Sequence, residues 1–498
     1  MYLKSLLAKP FANYVFNKTK KWMSSAVEDQ ENLLKSLVKS AKSTEFGKEH
    51  GFETIQSYED FKRQVPIRDY EDIKPYIEKI KQGKHNILWK GKPIYFAKTS
   101  GTTSGIKYIP ITKDSISNHI DTARDALLCY MAQSGNSLFA NGKMIFLSGS
   151  PELERIANIP TGRLSGIVNH HVPRYLRSNQ LPSYETNCIE DWELKLDKIV
   201  EETINEDMTL ISGIPPWMQM YFDRVMQVSG KKVGELFKNL SVLVYGGVNF
   251  EPYKKRLFES IGRQIDSIEL FPASEGFFAF QDKPESQGLL LNTDSGIFYE
   301  FIPANEIFDS NPTRLSLKDI KTNENYALVV SNNAGLWSYN LGDTIKFVST
   351  NPYRIIVTGR TKHFISAFGE HVIAEEVEHA LTTAANEEGI KVIEFTVAPL
   401  IAQTKGKSFH EWFIEFDETP ADLNSFSRKV DNNLRDKNIY YDDLISGNIL
   451  ETLKIHPVRK NGFIDYMKSI GKLGGQNKLP RLSNDRQTAE ALYKYIYN

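Results

Sequence analysis

Apolar residues recur at helical spacing through residues 25–82, with Leu33, Leu34, Leu37 and Val38 forming one face and Tyr76, Ile77 and Ile80 a later one. The pattern then changes. Ile94–Ala97 is a short β-like run, residues 114–133 return to a helical period, and Met144–Leu147 is a continuous apolar run of buried-strand type. Helical patterns over residues 190–205 and 215–228 flank a short strand at Thr209–Ser212. Further buried strands are predicted at Val242–Tyr245, Ser267–Phe271 and Tyr326–Val330, and strands of this kind alternating with helices predict an α/β architecture. Near the end of the sequence, Glu411–Phe416 reads as a strand and Leu423–Leu434 as a helix. The passage from the strand-like Arg354–Val357 to the helix-like Glu375–Leu381 places a domain boundary at Gly359-Arg360-Thr361-Lys362.

A chain of 498 residues exceeds one ordinary core, so two or three domains are expected. A formal net charge of −1 gives no whole-molecule reason to expect nucleic acid or an anionic membrane as partner. Two cysteines, Cys129 and Cys188, exclude a disulfide scaffold and a four-thiolate zinc site, and the ten histidines show no zinc spacing. Lys4, Lys9 and Pro10 interrupt the apolar residues of Met1–Phe16, which argues against a signal peptide, and no apolar run reaches membrane-spanning length. A cytoplasmic protein without membrane contact is the expectation.

Candidate chemistry begins at Lys98-Thr99-Ser100-Gly101-Thr102-Thr103-Ser104-Gly105-Ile106-Lys107. Glycines allow close backbone approach to a polyphosphate, hydroxyls and amides donate hydrogen bonds, and a lysine adds charge. A P-loop needs four residues between its glycines and a lysine directly after the second; here three residues separate Gly101 from Gly105, and Ile106 precedes Lys107. Alone, the segment reads equally as a polar turn between strands. Glu275, in Phe271-Pro272-Ala273-Ser274-Glu275-Gly276, is either a hard oxygen ligand for magnesium at a strand end or a solvated loop glutamate. Asp343, in Leu341-Gly342-Asp343, suits both hydroxyls of a ribose or caps its own turn. Arg360 suits a phosphate or ribose, and Lys478, between Gly474-Gly475 and Pro480, suits a mobile point charge for a phosphate transition state; both also read as solvated loop cations.

The order of these segments is that of adenylate-forming enzymes, the firefly luciferase-like superfamily, and the stretch Thr358–Glu378 closely resembles the hinge and following hairpin-helix of its C-terminal domain. Within the superfamily the chain resembles the auxin-responsive acyl acid amido synthetases, in a bacterial-type version. Val65–Ile77, Phe298-Tyr299-Glu300-Phe301-Ile302-Pro303, Gly335–Asp343 and Gln476-Asn477-Lys478-Leu479-Pro480-Arg481 carry that resemblance over about residues 60–485.

The resemblance implies a large N-terminal α/β domain (1–358) for acyl acid and ATP, a hinge (359–363, including Lys362) and a smaller, mobile α+β C-terminal domain (364–498). It implies ATP and Mg2+ as cofactors, a small carboxylic acid and an amino acid as substrates, and a monomer. Thr99, Ser100, Gly101, Thr102, Thr103, Ser104 and Lys107 would grip the phosphates, and Ser274 would lie against the nucleotide. Glu275 would hold magnesium, Phe298 stack on adenine, Asp343 bind the ribose, Arg360 contact the nucleotide and Lys478 assist adenylation, with Arg124 reading the acyl acid. The chain departs from the family's Gly-Leu-Tyr-Arg-Tyr-Arg-x-Gly-Asp pattern at Ser338 and Asn340, and Glu370-His371 stands where plant members carry Asp-Lys. An acyl-CoA ligase and a nucleotide-binding homologue without catalysis are the alternatives.

Overall fold

The computed structural model describes residues 3–102, 105–172, 177–248, 250–361, 364–370, 372–402, 407–470 and 479–497. Its contacts divide the chain into two units, the first comprising Met1–Lys98, Tyr108–Ile189 and Leu194–Thr361, and the second Thr99–Lys107, Glu190–Glu193 and Lys362–Asn498.

The helical period of the early sequence becomes α1 (Leu3–Ala41), α2 (Glu45–Glu49), α3 (Tyr58–Gln64) and α4 (Tyr70–Lys81). The start of α4 is written in Asp69, whose carboxylate accepts from the amides of Glu71 and Asp72 while Asp72 returns a bond to the Asp69 amide. Tyr70, Ile73, Ile77 and Ile80 then bury one stripe of that helix. On α1, Gln30 is 2% exposed and acts as a polar staple: its amide donates to the carbonyls of Thr293 and Ile297 and accepts from the amide of Tyr299. The α1 register is thereby fixed on a strand some 260 residues downstream, since the Gln30–Tyr299 separation is 269.

The glycine-rich segment forms β1 (Tyr95–Thr102) and β2 (Gly105–Ile111), which with β4 (Glu154–Ile156) and β5 (Ile159–Gly162) make a small sheet in the order β2-β1-β5-β4. The main sheet takes β3 (Lys143–Phe146), β6 (Gln180–Leu181), β7 (Met208–Ser212), β8 (Val242–Gly246), β9 (Asp266–Ala273), β10 (Gly276–Phe280) and β11 (Leu289–Leu291). It continues through β12 (Ile297–Pro303), β13 (Asn325–Asn332), β14 (Tyr339–Thr350) and β15 (Tyr353–Arg360), in the order β12-β13-β14-β15-β11-β10-β9-β8-β7-β3-β6. From β6 to β9 the pairing is parallel, and from β9 to β12 it is antiparallel.

The central parallel strands β7 and β8 are buried and largely apolar, the pattern of strands covered by helices. One such helix is α5 (Ile116–Ser134), which buries Ala126, Cys129 and Met131 in a core shared with Leu210, Val244 and Phe280. A second core joins Phe46, Phe61 and Ile77 to Phe301, Tyr326, Trp337 and Phe347.

In the second unit, β16 (Phe364–Ile365) pairs with β17 (Val372–Ile373), and β18 (Val392–Leu400), β19 (Phe409–Phe416) and β20 (Lys454–Val458) form a three-stranded sheet. Glu411 on β19 is 2% exposed and accepts from His456 Nε2 (2.9 Å), Arg486 Nη2 (2.6 Å) and the Tyr493 hydroxyl. Among the described residues, no helix is long and apolar enough to cross a membrane.

Candidate active site

Ligands of open α/β sheets bind beyond the carboxyl ends of the parallel strands, and the chain places small residues at those ends. β7 runs into Gly213, where a Cβ would come within 2.9 Å of Leu147 Cβ. β8 ends in Gly246-Gly247: a Cβ on Gly246 would meet the Leu270 carbonyl at 2.3 Å, and Gly247 has φ +76°. Sequence reading missed this pair. The signal was present, an apolar strand followed directly by two glycines, and only glycine fits there.

β9 and β10 are joined by a two-residue hairpin turn whose tip is Ser274-Glu275, with Ala273 and Gly276 in register across it. The turn is pinned from two sides. Asn332, at the end of β13, donates its Nδ2 to the Glu275 carbonyl at 2.8 Å, and the Phe277 amide donates to Asn118 Oδ1 on α5 at 2.7 Å. β13 and β9 lie five places apart in the sheet order, so the sheet curls until its antiparallel strands reach the hairpin. Gly276 permits that approach, because a Cβ there would stand 2.6 Å from Ile297 Cδ1 on β12.

The curl sets Glu275 within electrostatic reach of Arg360 and Tyr339. Asp343 on β14 faces Arg360 on β15 in the strand register, and Arg360 Nε donates to Asp343 Oδ1 at 2.8 Å. Burial works against the Arg360 charge, yet Asp343 and then Glu275 hold its pKa above the ordinary value. Gly342, at φ +82°, lies where the β13–β14 register shifts beside Asp343, and its amide donates to Asn340 Oδ1 at 2.9 Å. Tyr339 is fully buried, and burial, followed by the Glu275 charge, drives its hydroxyl pKa well up. The structure therefore brings Glu275, Asp343, Arg360 and Tyr339 into one polar cluster. A half-buried carboxylate at a hairpin tip offers the single hard oxygen that a phosphate-borne magnesium ion takes from a protein, so Glu275 fits that ion.

Two residues depart from expectation. Phe298 is 2% exposed, and its ring packs edge-on against Tyr58 (5.6 Å between centroids) and Phe61 (6.3 Å). It is a core residue with no face open to a purine, because its position on β12 points it under the helices rather than into the cluster. Arg124 is held by Asp121 (2.8 Å) and Asp125 (2.7 Å) of its own helix. It lies about 200° around α5 from Thr122, which bonds Asn292 on the sheet side, so it is turned away from Asn118 and the hairpin.

Of the phosphate segment, Thr99 lies half-buried on β1, and Ser100, Gly101 and Thr102 continue that strand. Lys107 lies on β2, on the same side as the buried Ile109 and Ile111. Thr103, Ser104, Lys362 and Lys478 lie outside the described residues.

Glu370, where the chain departs from the family pattern, is fully buried. It accepts from the Phe368 amide at 2.7 Å and pairs with His410 Nε2 at 2.9 Å. Burial disfavours its charge, but the His410 bond and charge hold its pKa below the usual value. Its carboxylate is thus committed to folding the second unit.

Three family models match the chain in order: the GH3 family N-terminal domain over residues 15–180, the central domain over 290–360 and the C-terminal domain over 375–487. The chain is 21% identical to the jasmonoyl-L-amino acid synthetase JAR4 of Nicotiana attenuata, over 91% of this chain and 90% of that one. It is 22% identical to the indole-3-acetic acid-amido synthetase GH3.3 of Arabidopsis thaliana, over 91% and 88%. Among solved structures it resembles AtGH3.15 acyl acid amido synthetase in complex with 2,4-DB (TM-score 0.63, 15% identity, 98% and 96% covered). It also resembles 2-hydroxyisobutyryl-CoA ligase in the thioesterification state (TM-score 0.57, 12% identity, 97% and 92% covered). The fold is that of the adenylate-forming enzymes, and with all three domain models matched in sequence order the chain belongs to the GH3 family.

Proposed function

We propose that the protein is an ATP-dependent acyl acid amido synthetase. A carboxylate oxygen of a small acid attacks the α-phosphorus of ATP, and the bond to pyrophosphate breaks to leave an acyl adenylate. The amine of an amino acid then attacks the acyl carbon, the bond to AMP breaks, and the amine gives up its proton. The observation that carries this reading is the Asp343–Arg360 pair within reach of Glu275 in a chain of this family.

In this reading Asp343 accepts from the ribose hydroxyls, and Arg360, already oriented by Asp343, contacts the nucleotide. Ser274 lies against the nucleotide, and the backbone of Thr99–Ser104, together with Lys107, grips the phosphates. Glu275 holds Mg2+, which neutralises phosphate charge when bound. Lys478 supports the first step, and the portion beyond the hinge at 359–363 turns between the two steps. The enzyme acts as a cytoplasmic monomer.

Acid-dependent exchange of labelled pyrophosphate into ATP, run across a panel of carboxylic acids, tests adenylation. Exchange with at least one acid is the expected result, and its absence across a broad panel overturns the reading in favour of a nucleotide-binding protein. Product analysis with amino acids against coenzyme A then separates amide from thioester formation; the likeness to a CoA ligase is the reason for that comparison. Lys478→Ala should lower exchange by about 100-fold with ATP binding retained, the loss typical of a preorganised charge.

A further inference from the structure

We propose that Arg314 is a positioning residue for nucleotide binding, replacing from another segment the arginine that this chain lacks before its Gly-Asp pair. The proposal rests on the reading of Asp343 as the ribose-binding carboxylate.

Ser338 stands where the family pattern has the first arginine, and it is fully buried with φ +43°, a strained left-handed position for a residue with a Cβ. Each of its polar groups is held. Its amide donates to Ser331 Oγ (2.8 Å), its carbonyl accepts from the Arg68 amide (3.0 Å), and its hydroxyl donates to Glu300 Oε2 (2.7 Å). The same hydroxyl accepts from Arg314 Nη2 at 2.6 Å. β14 begins at the next residue and presents Asp343 four residues later.

Glu300 is itself fully buried, a costly place for a carboxylate without a cation. Arg314 supplies that cation: Nε and Nη2 reach Glu300 Oε1 at 2.9 and 2.6 Å, and Nη1 reaches the carbonyls of Val65 (2.6 Å) and Lys62 (3.1 Å). Leu315 exchanges both backbone bonds with Phe301, each 2.9 Å, so the residue beside Arg314 is laddered onto β12. A serine at 338 leaves room for the incoming guanidinium, and a lysine could not make these five directed contacts. At the second family arginine's position stands Asn340, whose Oδ1 accepts from the Gly342 amide next to Asp343. The strained segment before Asp343 is held from a different part of the chain.

The test is an exchange of positions. Arg314→Ala leaves Glu300 buried without its cation, Ser338→Arg alone crowds two guanidiniums onto one carboxylate, and the double variant relieves both. In pyrophosphate exchange, Arg314→Ala should raise KM for ATP about tenfold or more while KM for the acid shifts less than about threefold. The double variant should return KM for ATP to within about threefold of wild type, and Arg314→Lys should fall between. An unchanged KM for ATP in folded Arg314→Ala or Arg314→Lys overturns the proposal. So does a parallel loss of kcat and melting temperature with no KM split, or a double variant no better than Arg314→Ala. If Arg314→Ala fails to fold, Arg314→Lys and the double variant decide the matter by the same criteria. Asp343→Ala separates this from the underlying reading: if it leaves KM for ATP unchanged, the ribose assignment fails whatever position 314 shows.

Discussion

Asp343 and Arg360 sit opposite each other across β14 and β15 and share a 2.8 Å hydrogen bond from Nε to Oδ1. One carboxylate oxygen orients the arginine, and in the proposed reading the other accepts from the nucleotide. Asp343→Asn should therefore raise KM for ATP by about 10- to 100-fold, the loss expected when charge-assisted hydrogen bonds are weakened. Initial-rate exchange against ATP concentration reads it, and a KM within twofold of wild type would remove Asp343 from nucleotide binding.

Glu275 sits at a turn tip fixed by Asn332 and Asn118, so Glu275→Gln preserves shape while removing charge. The Mg2+ concentration for half-maximal exchange should rise by about tenfold, since a hard cation loses an anionic ligand. An unchanged Mg2+ profile would leave the carboxylate with an electrostatic role toward Arg360 only.

Phe298→Leu should separate core from site. Loss of the ring between Tyr58 and Phe61 is expected to cost about 1–3 kcal/mol of stability, read by denaturant unfolding, with KM for ATP unchanged. A raised KM at full stability would restore the adenine role that its burial argues against.

Acid should unpick the second unit at Glu411. Burial acts to raise its pKa, but the bonds from His456, Tyr493 and Arg486 prevail and pull it down to about 2. The folded value lies below the unfolded one, near 4.5. The group's stabilisation, about 3 kcal/mol, is complete above pH 4.5 and is lost as pH falls from there toward 2. Denaturant midpoints from pH 6 to 3 should slope more steeply for wild type than for Glu411→Gln. Parallel slopes would show the hub contributes nothing to acid sensitivity.

Much of the fold was legible because buried strands were unbroken apolar runs: Val242–Tyr245 lies inside β8, with parallel neighbours, and Tyr326–Val330 inside β13, with antiparallel ones. The cluster of Glu275, Asp343 and Arg360 was foreshadowed in the sequence by polar residues that each stand beside a glycine, Gly276, Gly342 and Gly359. Phe298 departs from its expected role because β12 is buried on both faces, which a resemblance to the strand's sequence does not show. Arg124 failed on helical register, an error there rotating a side chain by 100° per residue. Gly246-Gly247 escaped notice because the need for glycine comes from Leu270 on a neighbouring strand. Arg314 was invisible for a related reason: its partners, Glu300 and Ser338, are 14 and 24 residues away.

The Gln30 staple also has a temporal meaning. During synthesis α1 emerges early, but the carbonyls and amide that satisfy Gln30 belong to Thr293, Ile297 and Tyr299. Until the ribosome has released the chain beyond residue 299, the helix has neither its polar anchor nor the strand beneath it. Its apolar residues Ala12, Val15 and Trp22 can pack on α5 long before that, but its polar anchor point stays unmet. The helix can thus pack early on α5, and its register is locked only once β12 has been made.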